Sequence, residues 1–365
     1  FSTPSALRAY ARYDEARALY NAMIDKRPAL IVRAVDVADV IATVELARTY
    51  HFDLAIRGGG HNGAGLGSVD GGVVLDLSLM KGIRVDPEAR TARVDAGCTW
   101  AEVDHATHAF GLAVPSGMIS TTGVAGLTLG GGVGHLSRKY GLTIDSLLAA
   151  DVVLADGSFV TASASEHPDL FWALRGGGGN FGVVTSFLFR LHPVHTVTAG
   201  RTFWPIEQSA EVMRWYRDFI VDAPDELSGF FAFLSVPPAP DFPEELHGQT
   251  MCAVVWCYLG PEDRAADAIA PALGVGTPAL HGAEEVPFPA LQSAFDPLYP
   301  PGEQWYWKAD FVRDLPAEAI DRHVEFGSAL PSPKSTMHLY PINGAVSRVG
   351  RDETAFSYRD VTWAK

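Results

Sequence analysis

Three cysteines among 365 residues, Cys98, Cys252 and Cys257, are too few and too scattered for a disulfide framework or a zinc site. Cys252 and Cys257 read as small apolar strand residues. Cations are scarce too: 28 Lys and Arg stand against 43 Asp and Glu, a formal charge of −15. So acidic a chain repels phosphate backbones, which argues against a nucleic-acid partner. No apolar run approaches the roughly 18 residues that a membrane span needs. The first residues, Phe1 to Ala11, lack the basic-then-apolar order of a secretory leader. A cytoplasmic location is therefore expected, with a trimmed N-terminus as the alternative. Internal repeats are absent, and no metal is expected. His105 and His108 stand at i and i+3 on one helical stretch, but no third ligand accompanies them, so they read as surface histidines.

What the chain does have is glycine. It holds 36, and much of this glycine lies in four clusters before residue 183. With 47% apolar and 19% charged residues, the composition is that of a globular protein. The length allows two domains, able to bury about 70–75% of their unfolded surface. Ala29–Arg33 is a strand-like apolar run, Asp36 offers an N-cap, and Val37, Val40, Ile41, Val44 and Ala47 recur at helical spacing. Leu54–Ile56 follows as a strand, which makes an α/β unit. That strand runs directly into Arg57-Gly58-Gly59-Gly60-His61-Asn62-Gly63.

Short strands are then expected at Val73–Leu77, Thr91–Asp95 and Gly111–Pro115, with a helix over Thr99–Phe110. A glycine cluster runs from Gly123 to Gly134. Asp156-Gly157 marks a hairpin between Leu147–Ala155 and Ser158–Ala162. Ser165 is placed to cap a short helix ending at Leu174, and Gly176–Gly182 leads into the strand Val183–Leu191. Beyond His192–Val194 the glycine clusters vanish and proline and aromatics increase. A boundary is expected there, giving domains 1–193 and 194–365. The second part alternates strands (Met251–Tyr258, Tyr306–Phe311) with helices (Ser209–Val221, Pro261–Ala272).

Gly58-x-Gly60-x-x-Gly63 and Gly177-x-Gly179-x-x-Gly182 both match the dinucleotide fingerprint in form. A Rossmann loop must open a helix whose N-terminus holds the pyrophosphate. Neither stretch is followed by helical sequence, which argues against a nicotinamide-dependent dehydrogenase. Successive glycine amides can instead curl into a nest that donates several N–H groups to phosphate oxygens. Tight turns alone are the other reading, and several clusters, each beside a strand, favour a ligand.

Four stretches together carry a resemblance. They are Arg57-Gly-Gly-Gly-His61-Asn62; Pro115-Ser-Gly117 followed by Gly123-Val-Ala-Gly126-Leu127-Thr-Leu-Gly130-Gly131-Gly-Val-Gly134; Arg138-Lys-Tyr140-Gly141-Leu142 with Asp145; and Asp169 through Gly182, leading to Val183. In order and spacing the chain resembles the berberine-bridge-enzyme-like branch of the vanillyl-alcohol-oxidase flavoproteins, strongly from about Arg27 to Val194 and more loosely beyond. The resemblance implies an α+β fold: a PCMH-type FAD-binding domain of two α/β subdomains, plus a substrate domain with an antiparallel sheet covered by helices. Arg57, Gly58, Gly59, Gly60, His61, Asn62, Pro115, Gly117, Thr122, Gly123, Gly126, Leu127, Gly130, Gly131, Gly134, Tyr140, Gly141, Asp145 and Val183 would hold FAD, and His61 would bond covalently to the 8α-methyl carbon of the isoalloxazine. A neutral imidazole is a competent nucleophile for that bond. Arg57 would meet the pyrophosphate or simply end its strand.

Two departures matter. Relatives that add a second, cysteinyl flavin bond place the cysteine where this chain has Ile119, so attachment through His61 alone is expected, and Cys98 is not a ligand. Where relatives gate oxygen, the chain has Thr122, which separates oxidase from dehydrogenase behaviour poorly. The family also closes its flavin domain with a C-terminal segment, and the sequence stops at Lys365 before one, so a catalytic base in that segment would lie outside it. The implied chemistry is hydride removal from a C–H beside an alcohol or amine of a small organic substrate of sugar, alkaloid or phenolic type. Oxygen is the expected acceptor, giving hydrogen peroxide. The alternatives are a flavin-binding protein without turnover and a flavin dehydrogenase using another acceptor. Tyr306, Lys308 and Tyr340 are candidates for the substrate face, the first two on one side of a strand; packing of Tyr306 and solvation of Lys308 is the other reading. Tyr306-Trp-Lys308-Ala-Asp-Phe311 and Gly344–Arg348 resemble the family's substrate-domain strands. His135 would lie near the ring or pack in the core.

Overall fold

The computed structural model describes residues 12–365 and the backbone of Ser5–Leu7. The leader reading of Phe1–Ala11 falls outside these residues apart from that strand. Three main sheets organise the chain. The first has the order Ser5–Leu7, Leu30–Arg33, Val73–Asp76, Leu54–Arg57. Val73–Asp76 pairs parallel with both of its neighbours, and Leu54 and Leu30 both face Val73. Val37–Tyr50 is the crossover helix; the Asp36 side chain accepts from the Asp39 amide at 3.0 Å and so caps it.

The second sheet is antiparallel, in the order Ile83–Asp86, Thr91–Asp95, Val183–Arg190, Leu147–Val153, Phe159–Ser163. One apolar core joins it to the first sheet and to the helix Trp100–His108, through Leu75, Val94, Trp100, Val152 and Phe187. The third sheet has seven antiparallel strands. Leu280–Pro287 and Thr196–Pro205 form one side, and Thr250–Tyr258 and Leu227–Ser235 are central. Met337–Pro341, Trp363–Ala364 and Phe311–Val312 complete it. The helices Ser209–Asp222 and Ala317–Gly327 pack on it, burying Val212, Tyr216 and Ile320 against Trp256, Phe231 and Trp363. Mixed helix and antiparallel sheet is the α+β architecture expected.

Several local expectations are corrected. Gly344–Arg348 is a 3-10 turn rather than a strand, and Tyr306–Asp310 is irregular, with only Phe311–Val312 entering the sheet. Pro261–Ala272 breaks into 3-10 turns around the short helix Ala265–Ile269, because Pro271 interrupts the amide ladder. Ser165 does not cap Pro168–Leu174; His167 holds that position at φ 47°. Ser163 Oγ instead accepts from the Ser165 and Glu166 amides. The cluster Gly123–Gly134 contains a helix, Val124–Leu129, that glycine-rich sequence does not announce. Gly63–Ser68 forms turns, and Gly182 leads straight into a strand, so neither fingerprint match opens a helix.

Candidate functional site

The strand Leu54–Arg57 ends by releasing the chain into Gly58–Asn62. Arg57 is buried at this exit; its Nη1 donates to Ala16 O at 2.6 Å and its Nε to Gly67 O at 3.3 Å. Burial lowers its pKa against the pull of Asp76, 3.8 Å away. Arg57 thus braces the loop from behind and ends the strand. Gly60 takes φ +71°, a conformation open to glycine without strain. The amides of Gly58, Gly59, Gly60, His61 and Asn62 donate to no atom of the described residues. Five adjacent donors without a protein partner, on residues open to solvent, can converge on one outside acceptor.

The segment Ser120–Gly123 lies against this loop. Trp100 N donates to Thr122 O (3.0 Å), Ala101 N to Ser120 O (2.8 Å) and Val124 N to Cys98 O (2.9 Å). Asp296 fixes the same segment from the third sheet's side, accepting from Ser120 N at 2.9 Å and Ser120 Oγ at 2.5 Å. The two loops cross at Gly59 and Gly123, where a Cβ on Gly123 would stand 2.4 Å from Gly59 N. Only a glycine pair fits that crossing.

His61 is held on every side. Thr121 Oγ1 is 3.3 Å from Nε2 and Thr122 Oγ1 is 3.5 Å from Nδ1. The Tyr20 ring stacks on the imidazole at 3.9 Å between centroids. Burial pulls its pKa down to about 4, outweighing the opposing influence of Asp296. The imidazole is therefore neutral near pH 7, with a lone pair free for bonding. It borders a cleft of about 310 Å³ together with Leu19, Tyr20, Gly59, Thr121 and Pro301.

The other expected cofactor residues divide into two groups. Gly126 faces open space on the first turns of Val124–Leu129, and Leu127, half-buried, presses on Gly117. Pro115 is buried beside Ser116, whose carbonyl leaves no room for a Cβ on Gly134. Gly130 ends the helix, and Gly131, at φ +119°, packs on Phe356. These lie on the helix Val124–Leu129 and the loops flanking it, and Gly134 borders a small cavity with His135. The second group is engaged elsewhere. Asp145 is tied to Arg359 by a two-pronged ion pair (2.7 and 2.8 Å) and to Leu142 N. Gly141, at φ +86°, abuts Asp145, and Tyr140 stacks on His192 at 4.2 Å. Val183 is a buried sheet residue paired with Val153. Cys98 is buried, with its thiol pushed up to about 12 by desolvation, hence unreactive.

On the substrate side, Tyr306 is 77% exposed, and its one close partner is Lys308, whose Nζ lies 5.8 Å from the ring. The strand alternation expected for the pair does not exist. Tyr340 does lie on a strand, inside an aromatic wall. Its Oη meets His338 Nδ1 at 2.5 Å, and Tyr299 Oη is 3.4 Å from His338 Nε2. Tyr299 O accepts from Tyr20 Oη at 2.7 Å, so contacts run from His61 through Tyr20 and Tyr299 to Tyr340. His135 is buried between Phe230 and Phe295, with Nε2 unpartnered. His108 stacks on His195 at 4.3 Å, and among the described residues no cluster of three or more potential ligands could hold a metal.

Open amides, a glycine crossing and a neutral imidazole meet here in an α+β frame. The sequence matches an FAD binding domain over residues 28–163. An FAD-linked oxidoreductase of Dictyostelium discoideum is 32% identical over 345 residues, 93% of this chain and 73% of that one. The structure superposes on a variant of Physcomitrella patens BBE-like 1 with a TM-score of 0.88 and 25% identity, covering 100% of this chain and 80% of the other. It also matches glucooligosaccharide oxidase from Acremonium strictum (TM-score 0.84, 25% identity, 99% and 78% covered), described with a 6-S-cysteinyl, 8α-N1-histidyl FAD. The chain belongs to the FAD-linked oxidoreductases, with a berberine-bridge-enzyme-like, PCMH-type FAD-binding fold.

Tyr20, Thr121, Asp296, Tyr299 and His338 escaped the sequence reading. Tyr20 and Asp296 reach the site over 41 and more residues of chain, and no local pattern marks them. His338 did carry a signal: two residues before Tyr340, it shares a strand face with it.

Proposed function

We propose that the chain uses FAD, bound covalently through His61 alone, to remove hydride from a C–H beside an alcohol or amine of a small organic substrate. The observation that carries this reading is the row of five free amides at Gly58–Asn62 ending beside a neutral, doubly held imidazole. These amides would take the pyrophosphate, with the Gly59–Gly123 crossing as the floor of the cradle. When bound, FAD supplies a two-electron acceptor, for which oxygen is the proposed oxidant, giving hydrogen peroxide.

The chain's own residues do the rest. Thr121 and Thr122 orient His61, and Tyr20 covers its face. Tyr340 is the proposed hydrogen-bond acceptor for the substrate's O–H or N–H, set in the aromatic wall. Tyr306 and Lys308 are proposed at the outer rim only. The second cysteinyl link has no counterpart at Ile119, which supports a single bond. The reading places the flavin-holding part in residues 1–193 and the substrate part in 194–365, supported by the four-stranded and five-stranded sheets lying before that division and the seven-stranded sheet after it. A cytoplasmic setting is proposed with it, on the three unpaired cysteines.

The test is acid precipitation of the purified yellow protein. Flavin absorbance should stay with the pellet, and His61→Ala should release it to the supernatant. Colour released from the unmodified protein would remove the covalent bond, and a protein colourless even with added FAD would sink the whole reading. Peroxide release across sugars, phenolic alcohols and cyclic amines then ranks substrates.

A further inference from the structure

His338 and Tyr340, two residues apart on the strand Met337–Pro341, project to one face. Beside Tyr340 lies a cavity of about 10 Å³, bordered by Met118, His135 and Phe230, with room for a single water. The Phe230 ring, from the paired strand Leu227–Ser235, sits 5.1 Å from His338 and 5.2 Å from Tyr340. The titratable groups meeting His338 are two phenols: Tyr340 from its own strand and Tyr299 from across the wall. His135 touches the Phe230 ring on that wall. Burial pulls the His338 imidazole down to about 4 and, with Tyr299 adding to it, pushes the Tyr340 phenol up. Both are neutral, so one hydrogen lies between them, and its owner decides what Tyr340 presents to a ligand.

Two arrangements are possible. If His338 Nδ1 carried the hydrogen, Nε2 would accept from Tyr299 and the Tyr340 hydrogen would have no partner in the protein. If Tyr340 donates to Nδ1, then Nε2–H donates to Tyr299 Oη, and Tyr299 donates to Thr336 Oγ1, 3.1 Å away. The second leaves no hydrogen of the three rings unpaired, and the phenol is the stronger acid of the two neutral donors. The ring nitrogen that carries hydrogen is set by what the other nitrogen bonds to.

We propose that His338 is the positioning residue of this site: it takes the Tyr340 hydrogen at Nδ1, so that Tyr340 offers only lone pairs and selects molecules that present an O–H or N–H. This rests on the reading of Tyr340 as a substrate-facing residue. A site built to accept from a hydroxyl discriminates against the analogue that lacks it, because the buried acceptor is then left unpaired.

Two measurements on the full chain test it. Side-chain ¹⁵N NMR, with His338 assigned by its loss in His338→Gln, should show a neutral ring protonated at Nε2, with the Nδ1 resonance moving in Tyr340→Phe. Protonation at Nδ1 overturns the proposal. Phenol and anisole, which differ by the hydroxyl hydrogen, are then titrated into the FAD-loaded protein and followed by flavin absorbance. Phenol should bind about tenfold or more tightly than anisole. His338→Phe should erase that preference, while His338→Gln, whose amide oxygen accepts in place of Nδ1, should keep it. Equal or absent responses to the two probes, or a preference surviving His338→Phe, overturns it. Failure of the flavin reading shows separately as a colourless protein, in which the NMR measurement still reports the tautomer.

Discussion

The glycine loops around His61 and the aromatic wall around Tyr340 solve opposite problems. At the loops the proposed working groups are backbone amides, brought together where side chains are missing: Gly59 and Gly123 touch backbone to backbone. At the wall the working groups are side chains, aligned by strand alternation and by rings packed 5–6 Å apart, as in Phe230–His338 at 5.1 Å and Phe230–Phe295 at 5.6 Å. The first kind of site tolerates no added atom. The second tolerates exchange of rings but depends on which hydrogen points where.

That difference can be broken at its anchor first. Arg359 arrives from near the chain's end to hold Asp145 beside the second glycine cluster, and the two side chains are 2% and 9% exposed. Asp145→Ala leaves the guanidinium buried and unpaired, and should cost about 3–5 kcal/mol. The urea midpoint measures it; a loss under about 1 kcal/mol would mean that the loops stand without the anchor.

One added methyl sharpens the contrast within the loops. Gly123→Ala drives a Cβ into Gly59 N and should cost about 1–3 kcal/mol, with FAD retention falling alongside. Gly126→Ala, which meets nothing within 4 Å and lies in a helix, should instead stabilise the FAD-free chain by up to about 1 kcal/mol. Equal effects in the two variants would show that lack of space is not what chose glycine at position 123.

A further effect is read against pH. His135, where the glycine cluster meets the wall, is buried and pulled down to about 4, below its ordinary 6.5. The unfolded chain binds that proton first, so its contribution is intact above pH 6.5 and is lost as pH falls toward 4. The slope is about 1.4 kcal/mol per pH unit. His135→Leu should flatten the stability curve by that amount between pH 6 and 4, roughly the window between the two pKa values; an unchanged slope would place the acid sensitivity in other groups.

Much of this was legible in the residues. The first strand–helix–strand unit, the hairpin at Asp156-Gly157 and the helix capped by Thr99 follow from alternation, turn chemistry and capping, all of which act over a few residues. The glycine loops were legible for the same reason, and the four motifs in order pointed to the family. Tyr306 and Lys308 show where such reading stops. Alternating residues suggest a strand, but a strand also needs a partner edge, and the chain pairs Trp363–Ala364 with Phe311–Val312 instead. Gly344–Arg348 fails likewise, as a turn shaped by Gly344 at φ +70° against Arg138 O.

The sequence by itself determined the class of fold and the glycine loops around His61, because glycine conformation and short motifs are local properties. Tertiary structure alone decided that Tyr20 would stack on His61, that Asp296 would hold Ser120 beside it, that Arg359 would answer Asp145, and that Tyr299 would meet His338. Those partners lie tens to hundreds of residues apart, and only packing of the three sheets brings their polar atoms close enough to need one another.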